Sequence, residues 1–175
     1  MELTSNIEKV DSDCSDIVLA KKGDKDAFIR MIQNNKQSLY RVAVSFLSNS
    51  HDVEDAIQAS IIKAYEGIGK LRKDEYFKTW IIRIVINQCK DILKKNKRLI
   101  SIEEVSINEG FTDDLTKLEL MSAIKQLDSD LRIVTTLFYF EDMAQKDIAK
   151  ILSIPEGTVR SRLSRARSKL YELLK

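Results

Sequence analysis

A single proline, Pro155, stands in 175 residues, and it divides a short amphipathic stretch, EDMAQKDIAKIL, from a long basic one, TVRSRLSRARSKLYELL. Proline suits the first turn of a helix, where its missing N–H costs nothing. Glu156 follows it, where a negative charge complements the helix dipole. Upstream, Ile148, Ala149, Ile151 and Leu152 share one side of a short helix, and Ser153-Ile154-Pro155 breaks it. Short helix, tight turn and longer basic helix is the helix-turn-helix pattern. Breakers are rare elsewhere too, with only five glycines. That is too few for the turns of a sandwich or barrel, so the chain is expected to be all-α.

At about 100° per residue the basic stretch resolves into faces. Val159, Leu163, Ala166 and Leu170 form a narrow apolar stripe. Gly157, Ser161, Ser164, Arg165 and Ser168 lie opposite, flanked by Arg160, Arg162, Arg167 and Lys169. Short side chains permit close approach to a groove, an arginine reaches a guanine edge, and a cationic rim neutralises phosphates. An ordinary solvent face mixes Glu with Lys, yet residues 157–171 hold no acid. This face is therefore read as a DNA contact, with Thr158 beside it.

Several chemistries have little support. There is one histidine, His51, and two cysteines, Cys14 and Cys89, with no C-x-x-C or H-E-x-x-H spacing. A zinc site and a disulfide framework are both unsupported, and two lone thiols suit a reducing cytosol. No P-loop, G-x-G-x-x-G or G-x-S-x-G occurs. The expectation is a cytoplasmic, non-enzymatic chain with no metal, cofactor or small-molecule substrate. The polar, acidic MELTSNIEKVDSD is unlike a signal peptide, and no apolar run approaches the roughly 18 residues of a membrane span.

Charge is blocked along the chain. Residues 70–98 carry ten Lys/Arg against three acids, and residues 145–175 carry eight against three. Residues 1–16 and 101–119 carry five and six acids, with one lysine each. Two separate basic blocks favour a nucleic-acid partner over solvated helix faces. The acidic SIEEVSINEGFTDDL, with weak apolar periodicity, reads as a tether. The expected organisation is a tail (1–15), a helical domain (16–98), an acidic linker (99–115) and a second helical domain (116–175). In the second, helices over 116–127 and 130–140 flank a turn capped by Asp128, Ser129 or Asp130.

The first domain shows helical stretches at 24–47, 51–66 and 75–96. The first sets Phe28, Ile32, Leu39, Val42 or Ala43, and Phe46 in register. The second has Val53, Ile57, Ile61 and Ala64 for its core. Asp52, Glu54, Asp55, Gln58 and the apolar Ile62 lie elsewhere on it, serving either solubility or docking of a basic helix. The third is apolar around most of its circumference. It leaves one stripe of Thr79, Arg83, Asn87, Lys90 and Lys94, a platform for a nucleic-acid strand. Before it, Lys70, Arg72, Lys73 and Tyr76 bring cations and an aromatic that can stack on an unpaired base. Phe77, Trp80 and Cys89 are assigned to the core, and His51 to a cap or the surface.

These stretches resemble a bacterial RNA polymerase sigma factor of the extracytoplasmic-function group. DVEDAIQASIIKAY and FKTWIIRIVINQCKDILKKNKR resemble region 2. LRIVTTLFYFEDMAQKDIAKILSIPEGTVRSRLSRARSKL resembles region 4, most specifically in IPEGTVRSRLSRAR. The resemblance covers about 16 to 174. It implies that Asp52, Glu54, Asp55, Gln58 and Ile62 meet the clamp helices of the polymerase largest subunit. It implies a −10 surface of Lys70, Arg72, Lys73, Tyr76, Arg83, Asn87, Lys90 and Lys94, which captures melted, flipped-out bases. It implies a −35 surface of Gly157, Thr158, Arg160, Ser161, Ser164, Arg165, Arg167 and Ser168. Further implied partners are the flap of the second-largest subunit and an anti-sigma factor, often membrane-anchored. The linker would run near the RNA exit path. The chain departs at Ala144, where the family often has a capping Ser or Thr, leaving Asp142 as the alternative cap. It also departs at Asp147, where Glu is usual. Two other readings stay open: a helix-turn-helix regulator acting without polymerase, and an anti-sigma-like adaptor using its basic faces for protein contacts.

Overall fold

The computed structural model describes residues 16–96 and 115–175, and the expected tail and most of the expected linker lie outside them. Among the described residues there are helices and no strands. A short helix α1 (16–21) precedes α2 (Lys25–Phe46). Then come α3 (Ser50–Gly67), two single 3₁₀ turns (Ile68–Lys70 and Asp74–Tyr76), and α4 (Phe77–Asn96). The C-terminal half holds α5 (Leu115–Lys125), α6 (Ser129–Thr135) with a π turn (Thr136–Phe140), α7 (Gln145–Leu152) and α8 (Glu156–Leu173).

Caps fix two boundaries. Asp24 accepts from the Ala27 N–H and starts α2, and Asn49 accepts from the His51 and Asp52 N–H groups and starts α3. His51 is therefore a surface residue beside the cap, its Nδ1 3.2 Å from the Asp55 carboxylate. α1 has no counterpart in the expected elements. Six residues are too few for a period to show, and the place of α1 is set by tertiary contacts. Ile17 and Ala20 are buried, and Asp16 accepts from the Arg30 guanidinium at 2.6–3.2 Å.

The N-terminal half is organised around α4, which packs on both α2 and α3. Ile81, Ile82, Val85, Ile86 and Cys89 are buried, as the near-continuous apolar run requires. Trp80 is only half-buried and lies over Gly67 and beside Phe77. On α3 the buried face is Val53, Ala56, Ser60 and Ala64, while Ile57 and Ile61 are half-buried at its edge. Val53 and Ala64 are buried as expected, and Ile57 and Ile61 pack against the core from its edge. Ser60 stays satisfied by donating to the Ala56 carbonyl.

In the C-terminal half α8 is the central helix, with α6 and α7 against it. Asp128 is the N-cap of α6 by position, but its carboxylate pairs with Lys169 at 3.1 Å instead of capping. Ala144 precedes α7 without a side-chain cap, so Asp142 does not take that role; it sits at φ 53° in the chain reversal before α7. Pro155 is the N-cap of α8, one position before the helix.

The two halves meet. α2 packs against α6 and the π turn, and one buried cluster runs from Val42 and Leu39 through Val134, Leu137 and Met143 to Ile148, Val159 and Leu163. A smaller cluster of Leu127, Leu131 and Ala166 ties α6 to α8. No described helix is long and apolar enough to cross a membrane.

Candidate nucleic-acid interface

The turn between α7 and α8 is made without glycine. Ser153 adopts φ 58°, closing α7, and the Ile154 N–H donates to the Ala149 carbonyl at 3.0 Å. That left-handed residue swings the chain so that α8 leaves at an angle to α7. Val159, Leu163 and Ala166 are then buried against the other helices, which turns the opposite face outward.

That outward face holds the expected residues. Gly157, Arg160, Ser161, Ser164, Arg165, Arg167 and Ser168 are exposed, and Thr158 is half-buried. Nothing lies within 4 Å of where a Cβ would stand on Gly157, so the fold itself does not demand glycine there. Ser161 donates to the Thr158 carbonyl at 3.0 Å and Ser168 to the Ser164 carbonyl at 3.4 Å. Their hydroxyl oxygens keep lone pairs free to accept from an incoming donor.

The arginines differ in ways the helical period does not reveal. Arg165 has no hydrogen bond or ion pair among the described residues, so it is free to reach outward. Arg160 lies 3.8 Å from Glu156. Arg162 is half-buried and donates to Asp130 of α6. Arg167 donates to the Tyr139 hydroxyl at 3.3 Å, which draws it towards the π turn.

A second basic surface lies on α4. Arg83, Asn87 and Lys94 are exposed on one stripe, as the period predicts. Lys90 is half-buried and donates to the Ile151 carbonyl of α7 at 2.7 Å. Burial, and secondarily the charge of Lys94, lower its pKa. Arg83, Asn87 and Lys90 thus face Lys150, Ile151 and Ser153 across a cleft of about 330 Å³. The stripe is not an open platform along its whole length. No local pattern could disclose that, because Lys90 and Ile151 are 61 positions apart.

Beside the stripe, Lys70, Arg72, Lys73 and Tyr76 are all exposed on the segment joining α3 to α4. Lys73 stands 5.5 Å over the Tyr76 ring, a cation–π contact on one face of the ring. Asp74 pairs with Lys21 of α1, anchoring the segment at its base. A recess of about 800 Å³ opens there, lined among others by Lys21, Asn35, Arg72 and Lys78. Lys21 and Asn35 were not expected at this site, since α1 shows no sequence signal and Asn35 is an unremarked polar residue mid-helix.

On α3, Glu54, Asp55 and Gln58 are exposed, and Ile62 is 60% exposed. Asp52 is half-buried and accepts from Asn96 at 2.8 Å. Next to them, Ile32, Leu39, Tyr40, Ile57 and Ile61 line a shallow apolar groove between α2 and α3.

Comparison with known proteins covers both halves of the chain. The Sigma-70 region 2 model matches residues 31–99, and the Sigma-70 region 4 model matches residues 117–170. The chain is 33% identical to the ECF RNA polymerase sigma factor SigW of Bacillus subtilis, over 89% of this chain and 92% of that one. It is 31% identical to the RNA polymerase sigma-H factor of Pseudomonas aeruginosa, over 88% and 89%. Among solved structures it resembles the sigma factor RpoE of Bartonella quintana, crystallised with the anti-sigma factor NepR. There the TM-score is 0.70 at 27% identity, covering 84% of this chain and 96% of that one. It also resembles CnrH in complex with the cytosolic domain of CnrY, with TM-score 0.63 at 26% identity, covering 93% and 97%.

Proposed function

The chain belongs to the extracytoplasmic-function sigma factors of the sigma-70 family, and from that premise we propose how its surfaces divide the work of starting transcription. It binds core RNA polymerase and gives it promoter specificity. The exposed face of α8, centred on Ser161, Ser164 and Arg165, enters the major groove of the −35 element, and Gly157 lets the helix start approach the phosphates. Arg83, Asn87, Lys90 and Lys94 of α4, with Lys70, Arg72, Lys73 and Tyr76, take one strand of the −10 element. Capturing unstacked bases supplies the free energy of strand opening, so the chain does no bond chemistry of its own.

The observation that carries this reading is the coexistence of two basic surfaces on one chain. A regulator working on duplex DNA alone needs the α8 face and has no use for a basic and amide stripe beside an exposed, cation-tipped tyrosine. Asp52, Glu54, Asp55, Gln58 and Ile62 on α3 form the docking surface for the clamp helices of the polymerase largest subunit. The α5–α8 unit meets the flap of the second-largest subunit. Residues 16–98 and 116–175 act as separate recognition units in the promoter complex, connected through 99–115. An anti-sigma factor, the kind of partner that NepR is to RpoE of Bartonella quintana, holds this chain off polymerase, and the chain works in the cytoplasm.

Run-off transcription tests this directly, using purified core polymerase with and without the chain on sheared DNA from the source organism. Discrete new transcripts are expected, and their start sites locate the −10 and −35 elements. No transcripts and no co-elution with core would refute the reading in favour of an independent DNA-binding regulator.

A further inference from the structure

The side chain of Glu141 is completely buried, at the end of the π turn, where the C-terminal half meets the N-terminal half. One of its oxygens, Oε1, accepts from Arg41 Nε of α2 at 3.0 Å. The other, Oε2, has no directed hydrogen bond but faces Lys78 Nζ of α4 at 3.2 Å. A buried carboxylate is costly unless paired, and both of its counter-charges come from the opposite half of the molecule. Parting the halves would strip Glu141 of both cations at once.

Two more contacts cross the same seam. Arg132 of α6 donates to the Ser45 carbonyl of α2 at 3.2 Å, and Lys90 of α4 donates to the Ile151 carbonyl of α7. Arg41 also lies over the Phe140 ring at 5.3 Å. The seam has electrostatic opposition as well. Closure brings Lys150 of α7 to the cleft that holds Arg83 and Lys90, and no acid lines that cleft. Glu141 is thus an anion paired across the seam with Arg41 and Lys78, beside the apolar cluster that also crosses it. In the same arrangement Ser161, Ser164 and Arg165 on α8 remain exposed.

We propose that the chain carries its own lock: Glu141 clasps Arg41 and Lys78 and seats the C-terminal half over the Lys90 end of the α4 stripe. The free chain is closed at the Lys90 end of its strand-binding surface, where Arg83, Asn87 and Lys94 stay exposed, and open at its duplex-reading surface. Engagement of a DNA strand along the whole α4 stripe, Lys90 included, requires the halves to part. That last consequence rests on the strand-binding reading of α4, whereas the lock does not.

The test uses the full chain and two variants. Arg41→Glu sets a second acid against Glu141 from a half-buried position, and Glu141→Gln removes the buried charge while keeping its shape. Circular dichroism verifies helicity, and Glu141→Gln carries the test if Arg41→Glu does not fold. Three quantities are read. The first is the radius of gyration by X-ray scattering, about 16 Å for a compact chain of this length. The second is acetylation of Lys90 by an N-hydroxysuccinimide ester, mapped by mass spectrometry against exposed Lys95. The third is binding of a mixed-sequence single-stranded oligonucleotide of about 12 nucleotides. In the variants the radius should rise and Lys90 should acetylate faster. Strand affinity should increase about tenfold, as expected if only about a tenth of the free chain is open. Arg41→Lys should stay closed. Wild-type radius and Lys90 reactivity in a folded variant would overturn the lock. If both rise while strand affinity does not, the lock is supported and the strand-binding reading of α4 is what fails.

Discussion

Three arginines on one helix make the sharpest test of the α8 surface, because their surroundings assign them different fates. Arg165 is exposed and has no described intramolecular partner, so Arg165→Ala should leave stability within about 0.5 kcal/mol. Its effect should fall on DNA. A lost base-edge contact costs about 1–3 kcal/mol, or roughly five- to 150-fold in −35 affinity. If it contacts only a phosphate, the salt dependence of binding should drop by about one charge instead. Arg162 points the other way and pairs with exposed Asp130 of α6. A surface pair of this kind is worth about 0–1 kcal/mol. Arg162→Ala should therefore lower the melting temperature by up to about 2–4 °C and leave promoter affinity nearly intact. Arg160 lies between, since losing it also frees Glu156 near the DNA. The assay is promoter binding by reconstituted holoenzyme on a mapped promoter, at several salt concentrations, with thermal melts of each variant. The reasoning is refuted if Arg162→Ala costs more promoter affinity than Arg165→Ala, for then the outward face of α8 has been misassigned.

Other expectations follow from the same geometry. Asn87→Ala should weaken promoter opening, read by permanganate reactivity, more than it weakens −35 duplex binding; equal losses would remove Asn87 from strand capture. Asp55→Arg should abolish co-elution with core polymerase while the isolated chain keeps its melting temperature, because the described ion pair of Asp55 is only with exposed His51. Leu163→Ala deletes a fully buried side chain and should cost about 2–5 kcal/mol in chemical denaturation. Burial pushes the Cys89 thiol up from 9.0 to about 12. The folded chain therefore holds that proton where the unfolded chain has lost it, so stability is full below about pH 9 and declines as pH rises towards 12. A denaturation series from pH 8 to about pH 11 checks the sign, and Cys89→Ser should flatten the decline.

How much of this was legible beforehand depends on the range of the interaction involved. The long helices α2, α3, α4 and α8, the breaker at Pro155, the apolar stripe of α8 and its acid-free opposite face are all local patterns. A 3.6-residue period and a missing N–H act within a few residues, so the sequence by itself determined them. The exposure of Gly157, Ser161, Ser164, Arg165, Arg83 and Asn87 followed, because a helix that buries one face must present the other. The buried face of α3 followed only in part: Val53 and Ala64 are buried and Ile57 and Ile61 pack half-buried against the core, whereas the burial of Ala56 and Ser60 was set by the fold.

Tertiary structure alone decided which charges are spent inside the molecule. Arg162 with Asp130, Lys90 with the Ile151 carbonyl, and Glu141 with Arg41 join positions 32, 61 and 100 residues apart. Nothing in the EDMAQ stretch distinguishes Glu141 from a solvated acid on the way into α7. It becomes a buried anion only because packing of α6 and the π turn on α2 excludes water from it. Hydrophobic patterning places each helix face, but the pairing of charges across a seam depends on which faces meet, and that is settled by the whole fold.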